Sequence, residues 1–283
     1  MKKMATFLGA IVTLLTLSIL TGCGGGGAND PLTNNPKDGA ALSYIAPGTF
    51  TMGTSAGIDI PTNEQPPHRV TLNAYYIYRT EVTVAQYRTF CTATSRALPT
   101  FPAGYSWAGK TGWNDPALQN HPIVHVTWDD ATAYAAWAGA ALPTEAQWEF
   151  AARGTGGRNY PWGGTAVSGD ASNGWDQTKC ANAYNSANVG ISTWPVGSFA
   201  VGASPEGAHD MAGNVWEWCA DWYEDYTVNS QTNPTGPANG TSRVVRGGSW
   251  DYNPGNLRGA YRTSALPTVS IRELGFRCVY AAP

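Results

Sequence analysis

One octapeptide near the middle of the chain has a clear structural consequence: it reads Leu142-Pro143-Thr144-Glu145-Ala146-Gln147-Trp148-Glu149. Thr144 and Gln147 have the spacing of a capping box, in which each side chain accepts a hydrogen bond from the other residue's backbone amide. A helix is therefore predicted to begin after Thr144 and to end at Gly154, where glycine readily adopts the conformation of a helix terminus.

Two further helices are predicted upstream of this one. Thr83 and Gln86 form a second capping box, which predicts a helix over about residues 84–94. Thr127 is followed by two acids, which suit the positive end of a helix dipole, and this helix should run to Gly139.

The rest of the chain predicts strands and loops. Residues 44–52 and 67–77 are runs of β-type residues separated by a loop containing proline and asparagine, which predicts an antiparallel pair. Residues 154–204 have almost no periodic pattern, and the chain contains 33 glycines, 19 prolines, 12 tryptophans and 14 tyrosines. This composition indicates a loop-rich domain packed with aromatic side chains rather than a helical bundle.

The charge of the chain excludes one class of partner. Charged residues make up 13% of the sequence and the formal net charge is −3, so no basic stripe is available to neutralise nucleic-acid phosphates. Nucleic acid is therefore not an expected partner. Separately, the protein is expected to be a monomer.

The N-terminus has the pattern of an export signal. Lys2 and Lys3 precede an apolar, acid-free run, and Leu20-Thr21-Gly22-Cys23 resembles the lipobox of bacterial lipoproteins. An ordinary secretory signal and a single membrane span are the alternatives. The expected organisation is a lipoprotein signal peptide at 1–22, a flexible tether at 23–42 and one domain at 43–283.

Lipidation of Cys23 would hold the protein at the cell envelope through membrane contact. Gly24 occupies the position where lipoproteins retained in the inner membrane commonly have aspartate. In a cell with two membranes, the outer membrane is therefore the expected location.

Four cysteines remain after Cys23: Cys91, Cys180, Cys219 and Cys278. An even number of cysteines in an oxidising compartment predicts at least one disulfide, and three pairings are possible. No two of them have the spacing of a metal finger or a redox motif.

A series of short motifs follows along the chain. The motifs are Gly48-Thr49-Phe50-Thr51-Met52-Gly53, Glu81-Val82-Thr83, His121-Pro122-Ile123-Val124-His125-Val126-Thr127-Trp128, the octapeptide at 142–149, Pro161-Trp162-Gly163, Gly213-Asn214-Val215-Trp216-Glu217-Trp218, Arg246-Gly247-Gly248-Ser249-Trp250 and Gly275-Phe276-Arg277-Cys278. In this order they resemble the formylglycine-generating enzyme (sulfatase-modifying factor) family over about residues 43–280. The resemblance implies that family's α+β fold, a loop-rich relative of C-type lectins with few short helices and antiparallel strands.

The same resemblance raises the question of activity. Active members oxidise a sulfatase cysteine to formylglycine with copper(I) held by two cysteines, and the matching positions here are Tyr252 and Leu257. Copper(I) is soft and requires thiolates, so copper is not an expected cofactor and the chain is expected to lack catalysis. His121 and His125 share a face but lack the third histidine of the family's iron-dependent branch, and they are interpreted as packing or loop residues.

Calcium is the metal that the resemblance implies, since a tight turn can direct carbonyls and carboxylates at one hard ion. The first implied site consists of Asp210, the carbonyls of Gly213 and Val215, and Glu217. A second, weaker match consists of Asn182, the carbonyl of Ala183, Asn188 and the carbonyl of Gly190. The alternative is that Asp210 caps a turn and Glu217 is an exposed charge.

The C-terminal segment, residues 250–278, resembles the variable region of proteins diversified by retroelements, in which a fixed frame alternates with changeable positions. Tyrosine with small polar residues also suits a contact surface. The residues expected to form that surface are Trp250, Asp251, Tyr252, Gly255, Gly259, Tyr261, Thr263 and Ser264. The alternative is an ordinary loop of a non-catalytic family member.

Three functions remain open on these observations. The first is a lipid-anchored envelope protein that binds or displays a protein or glycan ligand through its C-terminal segment. The second is an oxidoreductase of the formylglycine-generating type that modifies exported proteins. The third is an accessory subunit of an envelope complex.

Overall fold

The computed structural model describes residues 32–55, 60–101, 110, 112–165, 176, 178–182 and 193–282. Within these ranges, no helix is both long enough and apolar enough to cross a membrane. The predicted signal peptide, the lipidation site Cys23 and the first part of the tether lie outside the described residues.

The described residues form three α-helices and twelve strands. The helices are α1 (Val84–Thr94), α2 (Trp128–Trp137) and α3 (Glu145–Arg153). The strands are β1 (Leu42–Ile45), β2 (Gly48–Met52), β3 (His68–Leu72), β4 (Tyr75–Tyr78), β5 (Arg158–Tyr160), β6 (Gly163–Thr165), β7 (Trp216–Trp222), β8 (Gln231–Thr232), β9 (Arg243–Arg246), β10 (Arg262–Ala265), β11 (Leu274–Gly275) and β12 (Val279–Ala281).

These strands form small sheets with the orders β1-β4-β12, β2-β3-β8, β5-β6 and β10-β9-β7-β11. Pairing is antiparallel except between β3 and β8 and between β7 and β11. The single antiparallel pair predicted over residues 44–52 and 67–77 was wrong in detail. β1 pairs with β4 and β2 pairs with β3, in two different sheets, because Ala46 and Pro47 interrupt the first run.

The helix starts predicted from capping residues are confirmed. Thr83 and Thr144 each accept a hydrogen bond from the amide three residues on, at 3.2 Å, and the reciprocal glutamine contacts are also present. At α2 the cap is stronger than expected, because Thr127 forms a full capping box with Asp130. The local sequence therefore fixes where each helix begins.

Aromatic rings fill the core beneath α1 and α2. Tyr87, Phe90 and Tyr134 pack with ring centroids 5.3–5.8 Å apart, and Phe276 from the C-terminal segment closes on Tyr134 at 5.3 Å. The core on the other side of the domain contains α3, where Phe150 stacks on Phe50 of β2 at 4.9 Å. The tryptophan- and tyrosine-rich composition is thus used for packing.

The tether predicted at 23–42 is too long. Residues 32–42 belong to the domain, because Ala40 and Leu42 are buried in the core and Leu42 begins strand β1. Asp38 Oδ2 accepts hydrogen bonds from the hydroxyls of Tyr78 and Tyr134, which are both buried. A carboxylate that satisfies two buried hydroxyls ties this segment to the core.

The expected disulfide is not formed between the cysteines that the structure describes. Cys91, Cys219 and Cys278 are buried thiols, and Cys180 is buried with its sulfur 3.7 Å from Asn182 Nδ2. Burial is the largest cause raising the pKa of each thiol, and it raises that of Cys180 to about 12. These cysteines act as small apolar core residues.

A buried ionic cluster lies beneath α3. Glu149 pairs with Arg153 and Arg246, and Glu145 forms a two-point pair with Arg262, at 2.7 Å for both contacts. Burial raises the pKa of Glu145, but Arg262 and Arg246 outweigh it and hold that pKa below its usual value. The octapeptide that starts α3 therefore also places two acids, each paired with arginine, in the interior.

Replacing Asp38 by alanine should detach the N-terminal segment. The substitution leaves the hydroxyls of Tyr78 and Tyr134 without their acceptor, so we expect a loss of about 3 kcal/mol in the free energy of unfolding, measured by urea denaturation. Thr33→Ala, at an exposed position in the same segment, is the matched control and should have little effect. Equal stability of the two variants would contradict the assigned role of Asp38.

Candidate functional site

The C-terminal segment places two tyrosines against Trp216. Tyr252 packs edge-on against the Trp216 ring at a centroid distance of 5.1 Å, and Tyr261 lies 5.9 Å from the same ring. Trp216 is buried in strand β7, whereas 39% of the Tyr252 surface is exposed. These three rings, called here the aromatic ridge, combine a fixed base with an accessible edge.

Charged residues adjoin the ridge in sequence. Asp251 precedes Tyr252 and is exposed, and its carboxylate lies 3.2 Å from Arg272 Nη2. Arg272 also pairs with Glu273 and lies over the Trp250 ring at 5.2 Å. Because this ion pair is open to solvent, it can exchange partners at little cost.

Exposed apolar residues extend the accessible surface of the C-terminal segment. Of the six large hydrophobic side chains exposed in the described part of the chain, three belong to this segment: Tyr252, Leu266 and Ile271. The contact residues expected from the sequence did not include Leu266 and Ile271. Only the structure shows that these two residues are exposed, because an apolar residue type alone does not predict exposure.

The structure divides the predicted contact residues into three groups. Asp251, Tyr252 and Ser264 are exposed, and Gly255, Tyr261 and Thr263 are half-buried. Trp250 and Gly259 are buried, so their assignment to the surface was wrong. A methyl group at Gly259 would lie 2.5 Å from Arg153 Cγ, which shows how closely the ionic cluster packs beneath it.

Positions 252 and 257, which correspond to the copper ligands in the resemblance, differ in their burial. Leu257 is fully buried in an apolar cluster with Tyr160, Cys180 and Ala212. Its Cδ2 would lie 2.2 Å from a methyl group at Gly248, whose φ of +72° also requires glycine. Tyr252 is instead exposed at the surface. One of the two positions is therefore buried in the apolar core, and the other is accessible to solvent.

Two of the predicted calcium residues, Glu217 and Asp210, interact with Arg277. Both Glu217 oxygens pair with this guanidinium at 2.7 Å, and one of them also accepts from Trp148 Nε1 at 2.9 Å. Asp210, with φ +57°, accepts the Gly197 amide at 2.6 Å. Glu217 is thus a buried ion-pair residue rather than an open ligand, which departs from both sequence readings of it.

Glu81 is the acid that the sequence interpretation missed. Its side chain is buried, and neither carboxylate oxygen has a hydrogen-bond partner. Burial raises its pKa well above the usual value, the charge of Asp210 raises it further, and Arg277 opposes both. Burial also raises the pKa of Asp210. Three acids therefore face one arginine, and the local charge is unbalanced when all are ionised.

The site around Glu81 offers too few side chains for a metal by themselves. In the part of the chain that the structure describes, no three His, Cys, Asp or Glu side chains form a metal-ligand cluster. A hard cation would need main-chain oxygens as well, as calcium sites commonly do. The motif Glu81-Val82-Thr83 could have identified Glu81 as a site residue. Nothing in the sequence, however, indicates that Glu81 lies near Asp210.

Only some of the remaining residues that were considered as metal ligands lie among the described residues. Asn182 is buried and its Nδ2 donates to the Cys180 carbonyl at 2.8 Å, while Ala183, Asn188 and Gly190 lie outside the described residues. His121 Nδ1 lies 2.9 Å from Thr193 Oγ1, and burial lowers its pKa to about 4. Burial also lowers the pKa of His125, so both rings favour the neutral form of a packed histidine.

The family model of the sulfatase-modifying factor enzyme 1-like domain matches residues 28–282. The chain belongs to this family. The formylglycine-generating enzyme of Streptomyces coelicolor is 37% identical over 285 residues, which cover 86% of this chain and 90% of that protein. These two matches confirm the family resemblance inferred from the sequence.

Solved structures of family-like folds agree with this membership. The structure of PvdO from Pseudomonas aeruginosa has a TM-score of 0.73 and 27% identity, and the match covers 88% of this chain and 97% of that one. Treponema denticola variable protein 1 has a TM-score of 0.65 and 26% identity, with 86% and 95% covered. The expected α+β, C-type-lectin-like fold is confirmed.

Proposed function

We propose that this family member binds a protein or glycan ligand at the cell envelope through the aromatic ridge and the exposed residues beside it, and that it does not catalyse formylglycine formation. The observation that carries the proposal is the outward placement of Tyr252 against the buried Trp216. A rigid aromatic side chain provides contact area at low entropy cost, which is typical of binding surfaces.

The chemistry of the copper positions supports the non-catalytic part of the proposal. A phenol and an alkane occupy positions 252 and 257, and neither provides the soft thiolate that copper(I) needs. Leu257 is also enclosed by apolar side chains. These residues do not fit copper, and we derive no oxidation step from them.

The surroundings of the ridge support ligand display. Tyr252, Leu266 and Ile271 are exposed apolar residues, and the Asp251–Arg272 pair provides adaptable polar contacts. One similar structure carries the name variable protein 1, which is consistent with a C-terminal segment whose exposed positions change. The frame beneath those positions includes Leu257 and Arg262, which are buried.

The location of the protein is part of the same proposal. Lys2, Lys3 and the motif ending in Cys23 support export and lipid anchoring. An anchored domain would present its ligand surface outside the cytoplasm, where protein and glycan partners are available, and the outer membrane remains the proposed address in a two-membrane cell.

A structural calcium ion is proposed at Glu81 and Asp210. Both oxygens of Glu81 lack a hydrogen-bond partner, and the pKa values of Glu81 and Asp210 are raised. These observations support the binding of a cation between the two acids. The carbonyls of Gly213 and Val215 remain the expected main-chain ligands, and Glu81 replaces Glu217 as the acidic partner because Arg277 already neutralises Glu217. The ion would hold the turn before strand β7 in place.

A second candidate function is an oxidoreductase of the formylglycine-generating type. The 37% identity to the Streptomyces coelicolor enzyme favours it. It would require ligands other than residues 252 and 257, and the proposal above is preferred because those two positions contain no sulfur.

Removing the ridge tyrosines should weaken ligand binding. The full chain would be probed on a glycan array and on an array of purified exported proteins, and Tyr252→Ala combined with Tyr261→Ala should weaken each hit at least about tenfold. Tyr44→Ala removes an equally exposed aromatic side chain elsewhere and should leave the hits unchanged. An array without hits, or equal losses in both variants, would count against the proposal.

Copper should not bind at the family positions. Titration of the full chain with copper(I), followed by a cysteine-containing peptide and dioxygen, is expected to show neither stoichiometric binding nor aldehyde formation. A Tyr252→Cys, Leu257→Cys variant restores two thiolates and serves as the comparison for copper binding. Turnover by the unaltered protein would establish the second candidate instead.

Calcium removal should lower thermal stability. We expect millimolar calcium to raise the Tm by about 5 °C over the chelated protein, because only the folded state assembles the site. Glu81→Gln should lose this shift while remaining at least as stable in chelator, because it removes an unpaired buried acid. Asp129→Asn, at an exposed position, is the control. A full calcium shift in Glu81→Gln would refute the assignment.

A further inference from the structure

A second polar site adjoins the buried ionic cluster at Glu145 and Arg262. A cavity of about 80 Å³ is bounded by strands β3 and β7, the start of α3 and the loop at 224–237. Its walls include the buried residues His68, Glu145, Asp221 and Arg262, with Glu224 and Asp225 exposed at the rim. The proposed function makes no use of these groups.

Asp221 is the acid with spare bonding capacity in this cavity. It is 5% exposed, and its Oδ2 accepts the Glu145 amide at 2.8 Å. Its Oδ1 accepts no hydrogen bond from another described residue. A methyl group at Gly236 would lie 3.1 Å from Oδ1, so the glycine, with φ +71°, keeps the space beside this oxygen open.

His68 supplies a second acceptor. Its Nδ1 lies 3.2 Å from the Pro66 carbonyl, which can only accept, so Nδ1 holds a proton, and Nε2 is the acceptor in the neutral form of the ring. No described residue donates to Nε2. The ring is fixed edge-on against Tyr226 at 4.7 Å. The cavity is therefore lined by two acceptors that lack donors.

Apart from Asp221, the buried charges of the cavity are already paired. Arg262 neutralises Glu145 with two contacts of 2.7 Å, and the Tyr226 hydroxyl donates to the same carboxylate at 3.1 Å. A ligand therefore meets the negative charge of Asp221 and of the rim. A positively charged donor of small size is the complementary group.

We propose that this cavity binds a primary ammonium group, with Asp221 Oδ1 and His68 Nε2 as its acceptors. An ammonium carries three donors on a compact head. A divalent metal is less suited, because no three His, Cys, Asp or Glu side chains converge within the described ranges. The group comes either from a lysine side chain or from a free amino terminus of an exported polypeptide.

The site should be sensitive to pH. Burial, followed by the charge of Glu145, raises the pKa of Asp221 to about 7. Glu145, Arg262, Arg243 and Tyr226 also face this acid, and they keep their charge states near neutrality. Affinity for an ammonium should therefore rise as the pH rises through about 7 and Asp221 loses its proton.

The test is a calorimetric titration of the full chain with Nα-acetyl-lysine methylamide and with glycinamide near pH 8. At this pH the lysine amine is largely protonated and the glycinamide amine is partly protonated. The first probe represents a lysine side chain and the second an amino terminus, and binding of either supports the site and identifies the source. The Nε-acetylated form of the lysine probe has no charge and should not bind.

Asp221→Asn separates the charge from the shape of the site. Asparagine can still accept the Glu145 amide, so the fold should persist. The folded pKa of Asp221 lies above its unfolded value of 3.8, and its contribution to stability is therefore lost as the pH rises through about 7. The variant should have at least the Tm of the unaltered protein near pH 8.

We expect Asp221→Asn to weaken amine binding at least tenfold and His68→Gln to weaken it several-fold. Asp225→Asn removes one exposed rim charge and should change affinity by less than about threefold. Three results would overturn the proposal: no amine binding by the unaltered protein, equal losses in Asp225→Asn and Asp221→Asn, or binding of zinc in place of amines that depends on both Asp221 and His68.

Discussion

Buried arginines organise the interior of this domain. Arg246 donates to the carbonyls of Gly259, Ala260 and Tyr261, and Arg262 donates to those of Asn63 and Glu224. In a loop-rich chain many backbone carbonyls have no partner in a helix or sheet, and a buried carbonyl without a donor is costly. The guanidinium groups supply those donors from within the core.

Such arginines can be buried only if acids accompany them. Glu145 and Glu149, one turn apart on α3, neutralise Arg262, Arg246 and Arg153. Removing one partner of a buried pair leaves an uncompensated charge, which costs several kcal/mol. Helix α3 therefore joins strands β9 and β10 to the loops that lead into the C-terminal segment. The irregular backbone depends on this charge balance.

The same reasoning separates structural acids from candidate binding acids. Glu217, Glu145 and Glu64 each receive two contacts from an arginine. Glu81 and Asp221 are also buried, but Glu81 has no donor to either oxygen, no other described residue donates to Asp221 Oδ1, and burial raises the pKa of both acids. A buried carboxylate that no arginine neutralises gains most from a ligand that supplies positive charge. The two proposed cation sites follow from this difference, one for a metal ion and one for an ammonium.

Local sequence alone determined the starts of the helices, because the bonds of a capping box join residues only three positions apart. The ordered motifs also predicted the family and its fold. The sequence could not pair Glu81 with Asp210, or show that Trp250 and Gly259 are buried while Leu266 and Ile271 are exposed. It also placed the start of the domain at residue 43 although residues 32–42 belong to it, because Asp38 binds tyrosines that lie 40 and 96 positions away in the chain. Only the tertiary structure decides these features, since burial and long-range hydrogen bonds depend on which distant segments pack together.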